Sequence, residues 1–457
     1  MSEGRKDVVL AAVLAAALGL GAVVDAATGA PEAADPPSER VDPIVARSSF
    51  CPPSDAAAGR TRVVLSGPAG ATAGVEPVLD GPVEASGINV VSPEGSDAFD
   101  VVGYGTTVTA GAMLFSAEPV RGAGAARCAP AASRTWHFAY GSSSLDADER
   151  LLLYNPFPDE AVVRVSFLTA TGERAPAALS DIAVPADSSV GVVVNETVQT
   201  TKLLGATVEA IRGRIVAWRQ QFDDATDAGP AGAELTLGAP VGATTWYLPE
   251  GAVGDGVDER VAVMNPSEDE AVVTLSLATA DDAVTPGTLA QVPVPARSSV
   301  AFSLADSLQR VEDGRVGVAV TVRSTNGVGV VVERVVRYRE GDVVGVAAET
   351  GSTVAATRWV ALPAVGEASV DRLVVFNPGR ARATLDVALS VLGGGGAGRV
   401  PKVTVPGGAR VVVPIVEEAE GPAVARVTSD HPVVVERTAY SPSARDVATT
   451  MATPETD

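Results

Sequence analysis

The sequence predicts an all-β protein, built of tandem immunoglobulin-like β-sandwich domains after a single N-terminal hydrophobic helix. Three observations lead to this prediction: one long apolar run near the N-terminus, a set of landmarks that recurs three times, and short Val-rich runs separated by Pro, Gly, Asn, Asp or Ser. Runs of this kind are typical of strands. About seven strands in roughly 90–110 residues is the size of such a sandwich, whereas a β-propeller blade needs only about 40–50 residues.

Composition excludes several classes of protein before any motif is considered. The chain has 457 residues, which is room for three or four domains. Its 34 Lys and Arg against 56 Asp and Glu give a net charge of −22, and such an acidic surface argues against binding to nucleic acid or to anionic membranes. With only two His and two Cys, most metal sites and His-based catalysis are excluded.

The N-terminal segment predicts export. Residues 8–24 form an unbroken apolar run that follows Arg5 and Lys6. As a helix it would be about 25 Å long, slightly less than a hydrocarbon core of about 30 Å. Residues 1–27 are therefore an uncleaved signal anchor, with the rest of the chain outside the membrane, or a signal peptide that is removed. Both alternatives place the remaining chain outside the cytoplasm.

Two cysteines define the first domain. Cys51 and Cys128 are the only thiols of the chain, and they enclose strand-like runs at 62–65, 88–91 and 99–103. A disulfide between them would persist in an oxidising exterior, and the C-x-x-C spacing of a redox-active pair is absent. We therefore predict a structural disulfide within a diverged β domain over 48–131.

Three repeats follow the first domain. Each block opens on a Trp, and these tryptophans are 110 and 113 residues apart. Next comes an Asn-Pro strand, and a Val-rich strand closes the block. The landmarks are TWHF, TWYL and RWVA at 135–138, 245–248 and 358–361; LLLYNP, VAVMNP and LVVFNP at 151–156, 261–266 and 373–378; and IVAWRQQF, VVVERVVRY and VVVERTAY at 215–222, 330–338 and 433–440.

The landmarks give a domain layout with flanking segments of irregular structure. A Pro-rich, acidic linker is predicted to be extended, and a C-terminal tail without apolar periodicity is predicted to be disordered. The predicted segments are a linker at 28–47, β-sandwich repeats 1, 2 and 3 at 132–242, 243–355 and 356–441, and the tail at 442–457.

The block-opening tryptophans are candidate packing or interface residues. Trp136, Trp246 and Trp359 occupy the same place in each repeat. They could form sugar-stacking platforms, but the chain has only nine Phe, four Trp and six Tyr, which is few for a carbohydrate surface. We predict that they pack in the core or at an interface between domains.

Arginines of the closing strands are candidate interface residues as well. Arg219, Arg334 and Arg437 share one position, and Glu333 and Glu436 precede the last two. A guanidinium group suits carboxylates and backbone carbonyls. We predict ion pairs between strands or domains, with a row of ligand-binding arginines as the alternative.

Catalytic and metal sites find little support. Acidic triplets near the starts of repeats 1 and 2 offer oxygen ligands for Ca²⁺, but they lack a complete loop motif, so solvated acidic loops are favoured and no metal is predicted. Neither a nucleophile elbow, nor a zinc-protease motif, nor a phosphate loop is present. No catalytic residue or cofactor is predicted, and a cleft would be sought where the repeats diverge. The triplets are Asp146, Asp148 and Glu149, and Asp255, Asp258 and Glu259; the divergent segments are 196–212 and 223–227.

The chain resembles an uncharacterised family of actinobacterial exported proteins of unknown function. The features that carry the resemblance are Arg127-Cys128 followed by Trp136, the LLLYNP block, and the closing VVVER. The resemblance implies an envelope location and β-sandwich repeats, and it implies no activity. We expect a non-enzymatic, rod-like envelope protein that contacts other envelope proteins or wall polymers, the alternative being a carbohydrate-active hydrolase or sugar-binding protein of the wall.

Overall fold

The computed structural model describes residues 46–53, 59–76, 81–92, 98–104, 106–118, 120–224, 230–280, 283–305, 315–340, 343–392, 398–415 and 421–455. The described elements are strands and three short 3-10 helices, which confirms the predicted all-β class. The N-terminal helix predicted at 1–27 lies outside these residues, as does all but the end of the predicted linker. In the described part of the chain, no helix has the length and apolarity needed to cross a membrane.

Two four-stranded sheets form the first domain. Their strand orders are β1-β6-β3-β4 and β5-β2-β7-β8. Cys51, at the end of the first strand, is disulfide-bonded to Cys128, which follows the last, with their Cα atoms 4.4 Å apart; the predicted disulfide is confirmed. The strands are β1 (Ala46–Cys51), β2 (Arg60–Ser66), β3 (Thr72–Glu76), β4 (Val83–Glu84), β5 (Asn89–Val91), β6 (Phe99–Tyr104), β7 (Thr109–Ser116) and β8 (Gly122–Arg127).

Repeat 1 packs one sheet of order β14-β10-β16-β17 against a second of order β12-β11-β15-β9, with β13 also paired to β11. Alternation drives this packing: Val163, Val165 and Phe167 of β11 are fully buried, while Arg164 between them points to solvent. The strands are β9 (Thr135–Phe138), β10 (Ala147–Asn155), β11 (Ala161–Thr169), β12 (Gly172–Arg174), β13 (Ile182–Val184), β14 (Ser188–Val193), β15 (Gly205–Arg212), β16 (Val216–Asp223) and β17 (Gly232–Leu237), with 3-10 helices at Ala177–Leu179 and Val194–Glu196.

Repeat 2 has the same plan. Its sheets run β24-β20-β27-β28 and β18-β26-β21-β22, with β23 paired to β21, and β19 pairs with β25. The strands are β18 (Thr245–Leu248), β19 (Ala252–Gly254), β20 (Val257–Asn265), β21 (Ala271–Ala278), β22 (Ala283–Val284), β23 (Val292–Val294), β24 (Ser298–Ser303), β25 (Arg315–Gly317), β26 (Ala319–Ser324), β27 (Val331–Glu340) and β28 (Val343–Thr350), with a 3-10 helix at Gly287–Leu289.

Repeat 3 departs from the plan in one long strand, β34, which serves both sheets. Its first half, 423–429, pairs with β29 and β31, and its second half, 434–441, pairs with β30 and β35. The strands are β29 (Ala356–Ala361), β30 (Val370–Phe376), β31 (Ala383–Val391), β32 (Gly398–Val405), β33 (Arg410–Pro414), β34 (Ala423–Ser441), β35 (Asp446–Met451) and β36 (Thr453–Pro454).

The disordered tail predicted for 442–457 is wrong for most of its length. Strand β35 pairs with β34 from Glu436 to Ser441, and all six of its residues are buried. Its sequence lacks apolar alternation because both of its faces are covered, so neither set of alternating side chains faces solvent.

The first domain and the three repeats meet through their last edge strands, β8, β17, β28 and β35, which we name the axial strands. Strand β8 contacts β17, β17 contacts β28, β28 contacts β35, and β35 contacts β8 again. Glycines permit this approach: a Cβ added at Gly122, Gly232 or Gly345 would overlap atoms of the next axial strand. An extended row would bring only sequence neighbours into contact, so the expected rod is replaced by a closed cycle of contacts.

Candidate functional site

The three block-opening tryptophans lie inside the repeats. Trp136, Trp246 and Trp359 are at most 2% exposed and belong to the separate apolar cores of repeats 1, 2 and 3. Each indole Nε1 donates to a backbone carbonyl at the start of the closing-strand motif, at 2.7, 2.7 and 3.0 Å. With both faces covered, these rings offer no platform for stacking a sugar.

Arg219 lies at the interface between repeats 1 and 2. Its Nη1 is 2.6 Å from Oε2 of Glu333, and both side chains are fully buried. The same guanidinium donates to the carbonyl of Tyr140. Glu333 in turn accepts the backbone N–H groups of Ala139 and Tyr140 at 3.0 and 3.2 Å. The pair is therefore an ionic bond between repeats with most of its hydrogen-bonding capacity satisfied.

Arg334 repeats this arrangement between repeats 2 and 3. Its Nη2 lies 2.6 Å from Oε1 of Glu436, again with both side chains fully buried. Its Nη1 donates to the carbonyl of Glu250 at 2.5 Å, and the Glu250 N–H donates to Glu436 at 2.9 Å. The closing arginine of one repeat thus binds the glutamate of the next.

Arg437, by contrast, binds within repeat 3. Its Nε and Nη2 donate to the two carboxylate oxygens of Asp371 at 2.8 and 2.5 Å, and its Nη1 donates to the carbonyls of Ala361 and Ala423. The structure therefore brings Arg219 and Arg334 to interfaces between repeats and leaves Arg437 inside one.

Asp446 lies where the four axial strands meet. Its Oδ2 accepts the N–H groups of Ala123 and Ala233 at 3.0 and 2.7 Å, and its Oδ1 accepts those of Val346 and Val447 at 2.9 and 2.8 Å. One donor comes from each axial strand. Burial raises the pKa of this carboxyl well above its usual range, and the four donors oppose that rise.

Asp446 was not among the residues predicted from the sequence. Comparing equivalent positions in the last hairpin of each domain identifies it. The residues facing Ser116, Asp223, Tyr338 and Ser441 across the last hairpins are Gly122, Gly232, Gly345 and Asp446. An aspartate therefore replaces a glycine at the fourth equivalent position, and only there does a carboxylate reach the shared centre.

Two of the acidic residues predicted to lie in solvated loops, Glu149 and Glu259, are instead buried beside these arginines. Burial raises the pKa of Glu149 and of Glu259 to about 8, with Arg219 and Arg334 respectively opposing the shift. Both carboxyls are therefore largely protonated near neutral pH. Within the described ranges, no group of three or more His, Cys, Asp or Glu side chains is placed to hold a metal ion.

The described parts of the two divergent segments lie in different elements of repeat 1. The first contributes a 3-10 turn and strand β15, and the second begins with Asp223, which is buried 3.6 Å from Arg337; residues 225–229 lie outside the description. An open groove of about 300 Å³ in repeat 1 is lined by Arg134, Phe157 and Arg214, with the guanidinium of Arg214 4.8 Å from the Phe157 ring.

Comparisons with solved structures include two distant likenesses. The crystal structure of Thermotoga maritima 1070 is 19% identical, with a TM-score of 0.21, and covers 24% of this chain and 94% of that one. A Streptomyces avermitilis alpha-L-rhamnosidase complexed with L-rhamnose is 10% identical, with a TM-score of 0.12, and covers 82% of this chain and 53% of that one. At these TM-scores neither likeness bears on fold or function.

Family comparison gives a clearer result. No curated protein matches the sequence. The model of a family of unknown function, DUF5719, matches residues 80–358 and again residues 241–457. Since these overlapping matches together cover the chain from residue 80 to its end, the chain belongs to this family of unknown function, DUF5719.

Proposed function

We propose that the protein is a non-enzymatic component of the cell envelope. Its N-terminal segment 1–27 directs export and holds the chain at the membrane, or is cleaved to release a secreted form. The β domains then contact other envelope proteins or cell-wall polymers. Each repeat is an immunoglobulin-like sandwich in this proposal, which the pairing of β10 with β14 in one sheet and of β11 with β15 in the other supports.

One observation carries the proposal: the residues that recur from repeat to repeat form the framework. Trp136 and its counterparts lie in cores, and Arg219 and Arg334 join repeats. Asn155 has the same structural use, because its amide donates to three backbone carbonyls around the Asn-Pro turn, as Asn265 does in repeat 2. Duplication has therefore kept a scaffold rather than a constellation of reactive groups.

Two further observations support an exterior location and a contact role. The disulfide of the first domain is stable in an oxidising compartment. The net charge of −22 favours basic or neutral partners, because like charges repel acidic ones.

The test is crosslinking in intact cells with a full-length chain that carries a C-terminal tag, followed by mass spectrometry of the captured material. The matched control carries the same tag and has a cleavable signal sequence in place of residues 1–27, so that it leaves the membrane. We expect one or two envelope proteins to be captured in stoichiometric amounts by the anchored chain.

Other outcomes discriminate between the alternatives. Capture of wall glycan alone would replace protein contacts by polymer binding. Release of shortened oligosaccharides from wall polymer by the purified full-length protein would overturn the non-enzymatic assignment. An unchanged distribution between membrane and medium in the control would contradict anchoring by 1–27.

A further inference from the structure

A solvent-accessible cavity of about 160 Å³ lies at the interface between repeats 2 and 3. Its polar lining is Glu250 from repeat 2 with Arg372 and Arg410 from repeat 3. The wall is completed by Gly251, Ala252, Gly317 and the half-exposed Val412. A cavity of about 150 Å³ accepts a molecule the size of benzene, so this one accommodates a ligand of about six non-hydrogen atoms or the end of a larger one.

Glu250, which lines this cavity, has an unused acceptor. The residue is 1% exposed. Its Oε1 accepts from Arg372 at 3.0 Å and from the hydroxyl of Tyr338 at 3.3 Å, whereas its Oε2 is buried without a hydrogen-bond partner among the described residues. The neighbouring guanidinium groups hold the pKa of Glu250 below its usual range despite burial, so this oxygen is an ionised acceptor.

Arg410 presents unused donors. Its Nε donates to the carbonyl of Pro249 at 3.2 Å, and its Nη2 is 3.7 Å from Glu250 Oε2, beyond hydrogen-bonding distance. Among the described residues its two Nη atoms have no acceptor, although the side chain is only 7% exposed. Burial lowers the pKa of this guanidinium, and Glu250 compensates only in part. A buried cation with free donors is costly unless an anion completes it.

The charges around the cavity leave a surplus of one positive charge. Arg372 and Arg410 outnumber Glu250, and the nearby Arg334 is neutralised by its ion pair with Glu436. Glu259, which accepts the N–H of Ala252 in the cavity wall, carries little charge at neutral pH because burial raises its pKa to about 8. A monoanion therefore complements the site, and its charge would face the free Nη atoms.

Comparison of the repeats shows that the arginine of this cavity is specific to one interface. In repeats 1 and 2, serines stand at the position of Arg410, namely Ser189 and Ser299, each paired with the residue before the Asn-Pro asparagine. Ser299 donates to the carbonyl of Ala139 at 2.7 Å, the same contact that Arg410 makes to Pro249. A serine is sufficient for this contact between repeats. The guanidinium of Arg410 therefore supplies N–H donors that the contact does not require.

We propose that this cavity binds a hydroxy carboxylate, with the carboxylate on the Nη atoms of Arg410 and a hydroxyl one or two carbons away donating to Oε2 of Glu250. Guanidinium groups recognise carboxylates through paired N–H donors, and the free oxygen of Glu250 accepts a hydrogen bond from the hydroxyl. Both free hydroxy acids and the uronic acids of glycans carry this pair of groups. The inference follows from the geometry of the cavity and is independent of the envelope function.

Titration calorimetry on the purified full-length protein in mild detergent tests the proposal, with L-lactate and D-glucuronate as probes. Propionate lacks the hydroxyl, and D-glucose lacks the carboxylate. We expect saturable binding of at least one probe, at least tenfold tighter than propionate and glucose. Lactate binding alone would assign a free hydroxy acid, and tighter glucuronate binding would assign a uronic acid.

Three variants separate binding from folding. Arg410→Ser installs the residue of repeats 1 and 2 and should weaken binding at least tenfold, while Arg399→Ser, which removes an exposed guanidinium paired with Asp386 on β31, should leave it unchanged. Glu250→Gln should abolish the preference for lactate over propionate and retain binding of both. Equal binding of propionate, absence of binding by both probes, or full binding by a folded Arg410→Ser variant would overturn the proposal.

Discussion

The interface between repeats 1 and 2 and the interface between repeat 3 and the first domain use equivalent strands with opposite chemistry. In the first, Arg219 and Glu333 form a fully buried ion pair. In the second, Leu362 approaches Gly111 so closely that a Cβ there would overlap its side chain, and Met113 and Val360 belong to the same apolar cluster. The interface between repeats 2 and 3 is ionic like the first, and that between the first domain and repeat 1 is apolar.

The difference shows that each interface depends on both of its neighbours. By register with β8, the first domain has Gly111 and Ala112 where the repeats have a glutamate or tryptophan followed by arginine. Ala112 of the first domain stands where the repeats have the arginine, so it offers no guanidinium to repeat 1. A glutamate at position 218 of repeat 1, the equivalent of Glu333, would therefore be buried without a partner. Trp218 occupies that position instead and is fully buried. An apolar interface can be as stable as a buried ion pair, since desolvation offsets much of the Coulomb attraction.

The largest effect is expected at the centre, where all four interfaces meet. Asp446→Gly restores the residue of the other three axial strands but removes the acceptor for four backbone N–H groups. At about 1–3 kcal/mol for each unsatisfied donor, the free energy of unfolding should fall by about 6 kcal/mol. Chemical denaturation followed by circular dichroism measures this loss.

The matched control is Asp430→Gly, since that carboxylate is half exposed and accepts one backbone N–H, from Thr384. Its effect should be far smaller. Equal losses for the two variants would show that the axial carboxylate contributes no more than a surface turn does.

The second largest effect is expected for a single ionic interface. Arg219→Gln leaves Glu333 buried with only backbone donors, and breaking one partner of a buried pair costs about 4 kcal/mol. Arg164→Gln removes an exposed arginine whose ion pair with Glu209 is half accessible on both sides, and such pairs contribute less than about 1 kcal/mol. Similar denaturation midpoints for the two variants would mean that the buried pair does not join the repeats.

A double variant sharpens the same comparison. Arg219→Met combined with Glu333→Leu places apolar side chains on both sides, as in the interfaces of the first domain. Its loss of stability should be smaller than the sum of the two single losses, because neither charge of the pair is left buried alone. Additive losses in the same denaturation assay would contradict a direct interaction between the two side chains.

The sequence predicts the elements of these interfaces better than their arrangement. Alternating apolar and polar residues, with turn residues between them, indicate strands such as β11 and β21, because both signals are local in the sequence. The disulfide is indicated because the chain has only two cysteines. The closed cycle of contacts depends on the angle between successive repeats, which no local pattern encodes. Asp446 was missed for a related reason: its strand is covered on both faces and lacks the alternation that identifies a half-exposed strand. Glu250 and Arg410 are far apart in sequence and meet only once the repeats pack.

A smaller effect is expected at an apolar interface. Leu362→Ala removes the side chain that lies against Gly111 and should lower the free energy of unfolding by about 3 kcal/mol through lost burial and an unfilled cavity. The loss should be the same at low and high salt, because no charge is involved. A strong dependence on ionic strength, measured by denaturation in 0.05 and 0.5 M NaCl, would contradict the apolar assignment.

The smallest effect is expected from Glu149→Gln at pH 5, and it should grow with pH. Burial raises the pKa of Glu149 to about 8, so the folded protein holds a proton there that the unfolded chain releases above its ordinary value of 4.5. The contribution of Glu149 to stability is therefore complete below pH 4.5 and is lost as the pH rises toward 8.

Glutamine is close in shape to the protonated carboxyl and does not titrate. At pH 5 the variant should lie within about 1 kcal/mol of the parent, and between pH 5 and 8 the parent should lose stability faster, by up to about 1.4 kcal/mol for each pH unit. Glu209→Gln, at an exposed position on β15, should follow the parent across this range. Because Glu149 lies beside Arg219 at the ionic interface, parallel curves for Glu149→Gln and the parent would mean that this carboxyl is not held protonated by burial.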